Sequence, residues 1–282
     1  MIKFFCNIWE NISSFFSGLP FIVRWIMIVI GVVMVLSTLV AFFGKIKDDT
    51  EKEYDAKVKV GAAFEKTTVR GLQTVFNCPI YRNLLFKDKN GNNAEIDIAF
   101  VTKKGIFSVE CKHKSVDTLT TCLCCDIESD EWKYMSDYGI YASPYKNAEC
   151  VGTLKNPIKQ NECHIEALKD NIDNAICFNM VAVNCDTVVI NNKTGRMANI
   201  KMYYNPDVDR DIIANINGGI SFLKTIMKEY PDVYTKDDVK RIDLILKNHV
   251  ATKEQLKERA ARYKKEELDK AYSAMSDDDF DF

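Results

Sequence analysis

The sequence feature that most restricts the fold of this chain is an uncharged run near its N-terminus, Trp25–Phe43. At a rise of about 1.5 Å per residue, a helix of this length nearly crosses a hydrocarbon core of about 30 Å. A cleaved signal peptide is the alternative, but the segment before the run is long for one and no clear small-x-small cleavage site follows. We therefore predict a transmembrane helix over residues 25–44.

The lysines and arginines around this run predict its orientation. Lys3 and Arg24 are the basic residues before the run, whereas lysines crowd the segment directly after it, at Lys45, Lys47, Lys52, Lys57 and Lys59. Basic flanks of a span stay on the cytoplasmic side of the membrane. We expect a single-pass membrane protein with its N-terminus outside and the following domain in the cytoplasm.

The ten cysteines are scattered along the chain, and several fall inside predicted strands or helices. This spacing favours reduced, buried thiols in a reducing compartment over a disulfide framework. A zinc site is the alternative, in which Cys122-x-Cys124-Cys125 combines with Cys111, Cys150 or Cys163-His164. The set lacks two paired C-x-x-C motifs, which weighs against zinc.

Charge and composition divide the chain into five segments. The formal net charge of −2 gives no overall sign of nucleic-acid binding, so a surface for nucleic acid must be a local patch. We predict an amphipathic N-terminal segment at 1–24, the membrane helix at 25–44, a main domain at 45–205, a helical region at 206–274 and an acidic, disordered tail at 275–282.

A helix should open the main domain after a short charged linker at residues 45–52. The pattern predicts this helix from Glu53 to Asn77, where Cys78-Pro79 ends it. Its predicted inward stripe is Val58, Ala62, Glu65, Val69, Leu72 and Phe76. A carboxylate facing a core is costly unless it is paired or binds a cation, so Glu65 is a candidate functional residue. The alternative is an edge position from which Glu65 reaches solvent.

Alternating and apolar runs predict the strands of the domain, and helical spacing predicts its remaining helices. The predicted strands are 80–86, 94–102, 106–112, 119–124, 131–135, 178–183, 186–190 and 199–203, with 178–183 and 186–190 as a possible hairpin. Asn156-Pro157 should start a helix that buries Ile158, Ile165, Leu168 and Ile172. Three more helices are predicted at 207–229, 235–249 and 253–274.

The hairpin 94–112 gathers polar side chains on one face. Strand alternation places Asp97 on the face opposite Ile98, and Glu110 with Lys112 on the face opposite Val109. If Lys103-Lys104 forms the turn, Asp97 lies directly across from Glu110. If Lys104-Gly105 forms it, Asp97 faces Lys112 and Glu110 is diagonal. Either register collects the three side chains, whereas a three-residue loop would separate them.

Two carboxylates this close repel each other unless a positive charge lies between them. A divalent cation meets that need, and oxygen ligands favour Mg²⁺ or Mn²⁺. Lys112 follows Glu110 on the same face and could orient a water molecule or stabilise charge on a phosphate. The alternative is a ladder of surface ion pairs on a half-exposed sheet.

The ordered set of residues resembles a known family. Ala94-Glu-Ile-Asp97 followed by Gly105-Ile-Phe-Ser-Val-Glu-Cys-Lys112 is similar to the PD-(D/E)xK nuclease pattern, and more closely to the NERD (nuclease-related) domain. Glu65 after Gly61, Trp132 after the hairpin and Asn156-Pro157-x-x-Gln160 fit the same domain. The resemblance covers roughly residues 55–175. Where the family often has glycine before the helix glutamate, this chain has Phe64.

The resemblance implies a fold and a set of roles. The fold is an α/β, αβββαβ restriction-endonuclease-like core with a mixed sheet, here between an N-terminal transmembrane helix and C-terminal helices. Asp97 and Glu110 would be metal ligands for Mg²⁺ or Mn²⁺, and Lys112 would be the catalytic lysine. Glu65 and Gln160 would complete the pocket from the two helices.

The implied function is a membrane-anchored, metal-dependent nuclease that acts on nucleic acid, with DNA favoured over RNA. A catalytically silent nuclease-fold binding or scaffold module at the membrane is the second hypothesis. A protein partner could bind the C-terminal helices or the acidic tail, which is similar to the acidic tip of bacterial single-stranded-DNA-binding proteins.

Two further groups of residues have both a functional and a structural interpretation. His164 lies one helical turn after Gln160, so it either lines the pocket or sits on the helix surface. Lys103, Lys104, His113 and Lys114 make the hairpin locally basic, either for phosphate contacts or as a solvated turn. The helix 253–274 is predicted to expose its many charges to solvent or to a partner.

Overall fold

The structure is a computed structural model that describes residues 20–113, 122–135, 149–185, 187–191, 197–199, 202–205, 211–215 and 219–278. The chain divides into two units, one formed by residues 1–56 and 261–282 and the other by residues 57–260. The predicted amphipathic segment falls mainly on residues 1–19, which lie outside the described residues, as do residues 279–282 of the predicted tail.

The helices and strands run in an alternating order that the sequence predicts in large part. The helices are α1 (Phe21–Val75), α2 (Pro157–Asn171), α3 (Leu223–Glu229, after a 3-10 turn at Ile220–Phe222), α4 (Lys236–Asn248) and α5 (Lys253–Asp278). The strands are β1 (Tyr81–Lys87), β2 (Asn93–Thr102), β3 (Gly105–Lys112), β4 (Cys122–Asp126), β5 (Glu131–Met135), β6 (Cys150–Lys155), β7 (Cys177–Val183), β8 (Thr187–Asn191), β9 (Met197–Asn199), β10 (Met202–Asn205) and β11 (Asp211–Asn215).

The N-terminal part of α1 is the apolar helix that the sequence predicts. Its most apolar window has a mean hydropathy of 2.9 with none of it buried, and among the described residues it is the one helix long and apolar enough to cross a membrane. The predicted linker at 45–52 and helix start at Glu53 are wrong, because α1 runs unbroken through both. This segment contains no proline, and Lys52 pairs with Asp48 one turn earlier at 2.6 Å.

The unit formed by residues 1–56 and 261–282 also contains the end of α5. Lys264 Nζ lies 3.0 Å from Glu51 Oε2 and 3.8 Å from Asp55 Oδ1. α5 continues to Asp278, four residues beyond its predicted end at 274. These ion pairs are partly exposed, so each contributes little to stability on its own.

In the other unit, α1, β1, β2, β3, α2 and β7 follow each other in the predicted αβββαβ order. The first sheet has the strand order β1-β2-β3-β7-β11-β10, in which β2 is antiparallel to both β1 and β3, and β3 is parallel to β7. Strands β4, β5 and β6 are inserted before α2 and belong to a second sheet, with the order β6-β5-β4-β8-β9. The mixed α/β fold is therefore confirmed.

Several predicted elements after β7 are wrong. β7 and the following strand β8 lie in different sheets, so residues 178–183 and 186–190 do not form a hairpin. The predicted strand at 199–203 is divided between β9 and β10. The predicted helix at 207–229 begins instead with β11, whose residues Ile212, Ile213 and Ala214 are all buried. A short run that is buried on both faces lacks the alternation that marks a strand.

The face of α1 that packs on the sheet differs in part from the predicted inward stripe. Phe64, Thr68 and Leu72 are buried, whereas Val58 and Ala62 are exposed. Val69 and Phe76 pack against the same core as predicted. Glu65 is half-buried at the edge of this stripe.

Three phenylalanines fix the register of the central strands. Phe100, Phe107 and Phe178 occupy paired positions on β2, β3 and β7, and their rings stack with centroids 4.5 and 4.4 Å apart. Gly105 permits the tight turn before β3, because its φ is +152° and a Cβ there would lie 2.8 Å from the Phe178 ring. The stack and the turn together allow one alignment of β2 with β3.

Two asparagines hold α2 against the sheets. Asn156 caps α2 by accepting hydrogen bonds from the amides of Ile158 and Lys159, and its amide donates to carbonyls of the β4–β5 turn, at 2.7 Å to Ser129. Asn161 is fully buried: its Oδ1 accepts from the Ser108 hydroxyl at 2.6 Å, and its Nδ2 donates to Asn179 Oδ1 at 2.8 Å. All four residues predicted to be buried on this helix, Ile158, Ile165, Leu168 and Ile172, are buried.

We predict that Asn161→Ala lowers the free energy of unfolding by about 2–3 kcal/mol, because it leaves buried polar groups of Ser108 and Asn179 without partners. Urea unfolding of the full-length protein in detergent, followed by circular dichroism, measures the change. Lys169→Ala is the control, since it removes an exposed pair with Glu166 and should change stability by less than about 0.5 kcal/mol. An unchanged unfolding midpoint for Asn161→Ala would refute the structural role of this network.

Candidate active site

The β2–β3 hairpin has the first of the two registers that the sequence allows. Thr102 pairs with Gly105, so Lys103-Lys104 is the turn, and the ladder continues to Ile98 opposite Val109. Beyond that pair, the Cys111 amide donates to Asp97 Oδ2 at 2.9 Å. Asp97 thus lies beside the strand segment that carries Glu110 and Lys112.

Lys112 joins the hairpin to α2. Its Nζ lies 2.7 Å from Glu110 Oε1 and donates to Gln160 Oε1 at 2.8 Å. Gln160 lies on the first turn of α2, where the Asn156 cap sets the start of the helix. The amide and the carboxylate therefore hold the ammonium group from two different elements.

Glu110 presents one oxygen with no hydrogen-bond partner. The residue is 2% exposed, and its Oε2 and the Nδ1 of His164 are both buried without partners. The two atoms are 3.4 Å apart, which is within ion-pair distance. However, burial and then the charge of Lys112 lower the pKa of His164 to about 4, so the ring is neutral near pH 7 and no ion pair forms. His164 is 8% exposed and lines the site rather than the helix surface.

Three carboxyl groups of this site have raised pKa values. Asp97 is half-buried. The loss of hydration of its carboxylate is the larger cause, and repulsion from Glu110 the smaller one, of a pKa raised to about 7. Burial also raises the pKa of Glu110, against the opposing effect of Lys112. Burial and then repulsion from Asp97 raise the pKa of Glu65 to about 7. The acids are thus brought close enough to oppose one another's ionisation.

Two arginines that the sequence did not single out for the site add positive charge near these acids. Arg259 of α5 donates to Asn83 Oδ1 at 3.1 Å and lies 3.7 Å from Glu95 Oε2. Its charge lowers the pKa values of Asp97 and Glu65, and Arg82 acts in the same way on Glu65. Through Arg259, the first part of α5 therefore contacts β1 and β2, although most of its residues are exposed as the charge run predicts.

The basic turn of the hairpin lies at its opposite end from the acids. Lys104 Nζ is 2.8 Å from Asp232 Oδ1, and Lys103 Nζ is 3.4 Å from Asp232 Oδ2. The Lys103 carbonyl also accepts the amides of Val233 and Tyr234. Lys114 is outside the described residues, and the ring centroid of His113 lies 5.4 Å from that of Phe64. The turn contacts the segment before α4 and is not part of the acidic site.

No cysteine in the described residues is in a disulfide. Cys111 packs against the core beside α1, and burial raises its pKa. Within the same residues, no group of three or more His, Cys, Asp or Glu side chains could hold a metal ion. A zinc site built on Cys122, Cys124 and Cys125 therefore has no support, and the acidic site offers at most two such ligands.

An open cavity of about 590 Å³ adjoins the site on the Gln160 side. Its lining residues are Asp130, Glu131, Lys155, Asn156, Lys159 and Gln160. Lys159 Nζ is held by Asp130 Oδ1 at 2.7 Å and by the Glu128 carbonyl at 2.9 Å. The lining residues are polar or charged, with both signs of charge present, and the cavity reaches Gln160.

Comparisons with known proteins relate part of the chain to a described family. No curated protein and no solved structure matches the chain. A family model described as the nuclease-related domain, NERD, matches residues 60–192, a range that contains Glu65, Asp97, Glu110, Lys112 and Gln160. Residues 60–192 therefore match the nuclease-related domain family, which is the family that the sequence resembles.

Proposed function

We propose that this chain is a membrane-anchored, metal-dependent nuclease that hydrolyses phosphodiester bonds of nucleic acid, with DNA preferred over RNA. The observation that carries the proposal is the position of Lys112, whose Nζ lies between Glu110 and Gln160 at 2.7 and 2.8 Å and whose charge lowers the pKa of Asp97. A lysine held beside two acids matches the needs of phosphoryl chemistry, in which negative charge develops on the phosphate.

The residues present fit a Mg²⁺ or Mn²⁺ ion. Glu110 Oε2 is buried without a hydrogen-bond partner. Burial raises the pKa values of both Asp97 and Glu110, and repulsion from Glu110 adds to the rise at Asp97. Mg²⁺ is commonly held by one or two carboxylates with several water molecules, so two protein ligands suffice. Asp97 and Glu110 would hold the ion, which when bound would neutralise phosphate charge and lower the pKa of a coordinated water.

The other polar groups have separate roles in this proposal. Lys112 would stabilise charge on the phosphate or orient the attacking water, and Gln160 would fix the direction of its ammonium group. Glu65, with a pKa near 7, is suited to exchange a proton near neutral pH. The neutral His164 ring would limit the freedom of Glu110 from the α2 side.

Nucleic acid would reach the site across a local surface, because the chain as a whole carries a formal charge of only −2. The cavity lined by Lys155, Lys159 and Gln160 lies directly beside the site and would give access to it. Lysine contacts to phosphates would give an affinity that falls with added salt.

A silent binding module at the membrane is the second candidate function. The observation that favours it is the hydrogen bond from the Cys111 amide to Asp97 Oδ2, since this oxygen already serves the strand pairing. A module of this kind would bind nucleic acid or a partner protein, the latter through the C-terminal helices or the acidic tail. Its binding would survive chelation of divalent metal, and it would cleave nothing.

We propose that the apolar part of α1 anchors the protein, with its N-terminus outside and the nuclease-related domain in the cytoplasm. The proposal rests on the uncharged run Trp25–Phe43 and on the five lysines that follow it within residues 45–59. Anchoring would restrict the domain to nucleic acid that comes close to the membrane.

We predict that the full-length protein in detergent degrades DNA with Mg²⁺ and loses this activity with EDTA. Asp97→Asn and Lys112→Met should each lower the cleavage rate at least about 100-fold, because each removes charge stabilisation from the transition state. Gel assays with labelled DNA and RNA, single- and double-stranded, measure rate and substrate class. Lys169→Ala, on the outer face of α2, is the matched control and should cleave at the unaltered rate.

Equal cleavage by the unaltered protein and Asp97→Asn would assign the activity to a contaminant. Binding of DNA without cleavage, unaffected by EDTA and by Asp97→Asn, would support the silent module instead. Faster cleavage of RNA than of DNA would overturn the proposed preference while leaving the nuclease proposal intact.

We predict that the metal-free protein becomes less stable as the pH rises from about 6 to about 8. The folded-state pKa of Asp97 is raised from 3.8 to about 7, so its stabilising contribution is fully present below the lower value and is lost as the pH passes the upper one. Bound Mg²⁺ opposes this loss, so the rise in Tm on adding Mg²⁺ should be larger at about pH 8 than at about pH 6. Thermal unfolding in detergent at both pH values measures it.

Asp97→Asn should flatten this pH dependence and reduce the Mg²⁺ effect, since it removes the titrating group and one ligand. Glu166→Gln, a change on the exposed side of α2, is the control and should behave like the unaltered protein. A rise in Tm with Mg²⁺ that is the same in the protein and in Asp97→Asn would exclude Asp97 as a ligand.

We predict that a membrane-impermeant maleimide labels the two sides of the span differently in intact cells. Cys6, which precedes the apolar run, should react from outside after mild reduction, whereas the exposed thiols of Cys150 and Cys163 should react only after permeabilisation. Peptide mapping of the labelled protein reads out each position. Cys6→Ser should abolish the outside label, and labelling of Cys150 in intact cells would reverse the proposed orientation.

A further inference from the structure

Strand β4 places two thiols in contact on one face. Cys122 and Cys124 are two residues apart, so strand alternation points both side chains the same way, and their Sγ atoms lie 3.7 Å apart. The intervening Leu123 and the following Cys125 point to the other face and pack in the core between the two sheets. The two thiols form a hydrogen-bonded pair that the acidic site does not use.

The two thiols differ in access. Cys122 is fully buried, whereas Cys124 is partly exposed and pairs across the sheet with Lys133 of β5. The hydrogen bond between the two thiols and the charge of Lys133 lower the pKa of Cys124, and the same hydrogen bond and burial raise the pKa of Cys122. Cys124 is therefore the accessible, more readily ionised sulfur, and Cys122 is the protected thiol next to it.

We propose that Cys122 and Cys124 are a thiol-disulfide site, oxidised to an intrastrand disulfide by a hydroperoxide and restored by a low-molecular-weight thiol. The contact between the two sulfur atoms carries this proposal, because the thiols are already adjacent before the S–S bond forms. The inference does not depend on the proposed nuclease activity.

The chemistry balances in two steps. The Cys124 thiolate attacks one oxygen of the hydroperoxide, the O–O bond breaks, and the leaving oxygen takes a proton to give water or an alcohol. The Cys122 sulfur then attacks the sulfenic sulfur of Cys124, the S–O bond breaks as the S–S bond forms, and the hydroxide leaves as water with the Cys122 proton. The two thiols lose two electrons and two protons, which the hydroperoxide accepts.

The position of the pair in a strand explains why the disulfide would be reversible. Residues two apart in an extended strand have Cα atoms about 6.6–6.8 Å apart, at the upper limit of disulfide geometry. A bridge at this limit is strained and is reduced more easily than a structural disulfide. Thiol exchange with glutathione should therefore reopen it.

The test is to treat the full-length protein in detergent with hydrogen peroxide and then block the remaining thiols with N-ethylmaleimide. We expect the peptide containing Cys122 and Cys124 to lose both maleimide adducts and two hydrogens of mass. This loss should be at least about tenfold faster than oxidation of the exposed Cys163, and glutathione should reverse it. Cys163→Ser is the control and should leave the reaction at β4 unchanged.

Two variants separate the roles of the sulfur atoms. In Cys122→Ser, Cys124 should stop at a sulfenic acid that dimedone traps. In Cys124→Ser, Cys122 should remain reduced because it is buried. If either variant fails to fold, mapping of the unaltered protein still decides. Intact thiols at β4 while Cys163 is oxidised, or a bridge from either residue to Cys150 or Cys185, would overturn the proposal.

Discussion

The structure depends on the alignment of β2, β3 and β7, which three stacked phenylalanines set. Phe100, Phe107 and Phe178 are paired residues, and their rings lie nearly parallel on the face that packs against α1. Because side chains alternate along a strand, a shift of one residue would turn this stack out of the core and would turn Asp97 and Glu110 into it. The apolar face therefore determines where the acids lie, and its burial offsets the cost of bringing them together.

The second side of the site is set by hydrogen bonds instead of apolar packing. Asn156 binds the β4–β5 turn and the first amides of α2, while Asn161 binds β3 and β7 five residues later. Between these two fixed points lies Gln160, and one turn further lies His164, so neither can move without breaking buried hydrogen bonds. The inserted second sheet thus contributes to the site through Asn156, although it supplies none of the acids.

The sequence predicted those features that depend on local spacing. The hairpin 94–112 follows from strand alternation and a two-residue turn, and the start of α2 follows from an asparagine cap before proline. Features that depend on long-range packing were missed. The strand β11 has no alternation because both its faces are buried, the role of Asn161 requires β7 to lie beside β3, and Arg259 reaches Asn83 from 176 residues away. The continuous helix through residues 45–52 was missed because a run of charged residues resembles a linker. The ion pair between Lys52 and Asp48, four residues apart, is the signal that favours a helix there.

The balance of charge at the site shows why its acids are held short of full ionisation. Asp97, Glu110 and Glu65 face Lys112, Arg259 and Arg82, yet the pKa values of all three acids remain raised. These cations do not return the three pKa values to their ordinary range. Lys112 contacts one acid of the site directly, and of the two carboxylate oxygens of Glu110 it binds Oε1. The other oxygen, Oε2, faces a neutral histidine that offers it no charge. A buried carboxylate oxygen that lacks a partner is unfavourable in a resting fold, and a cation bound to this oxygen would remove that penalty.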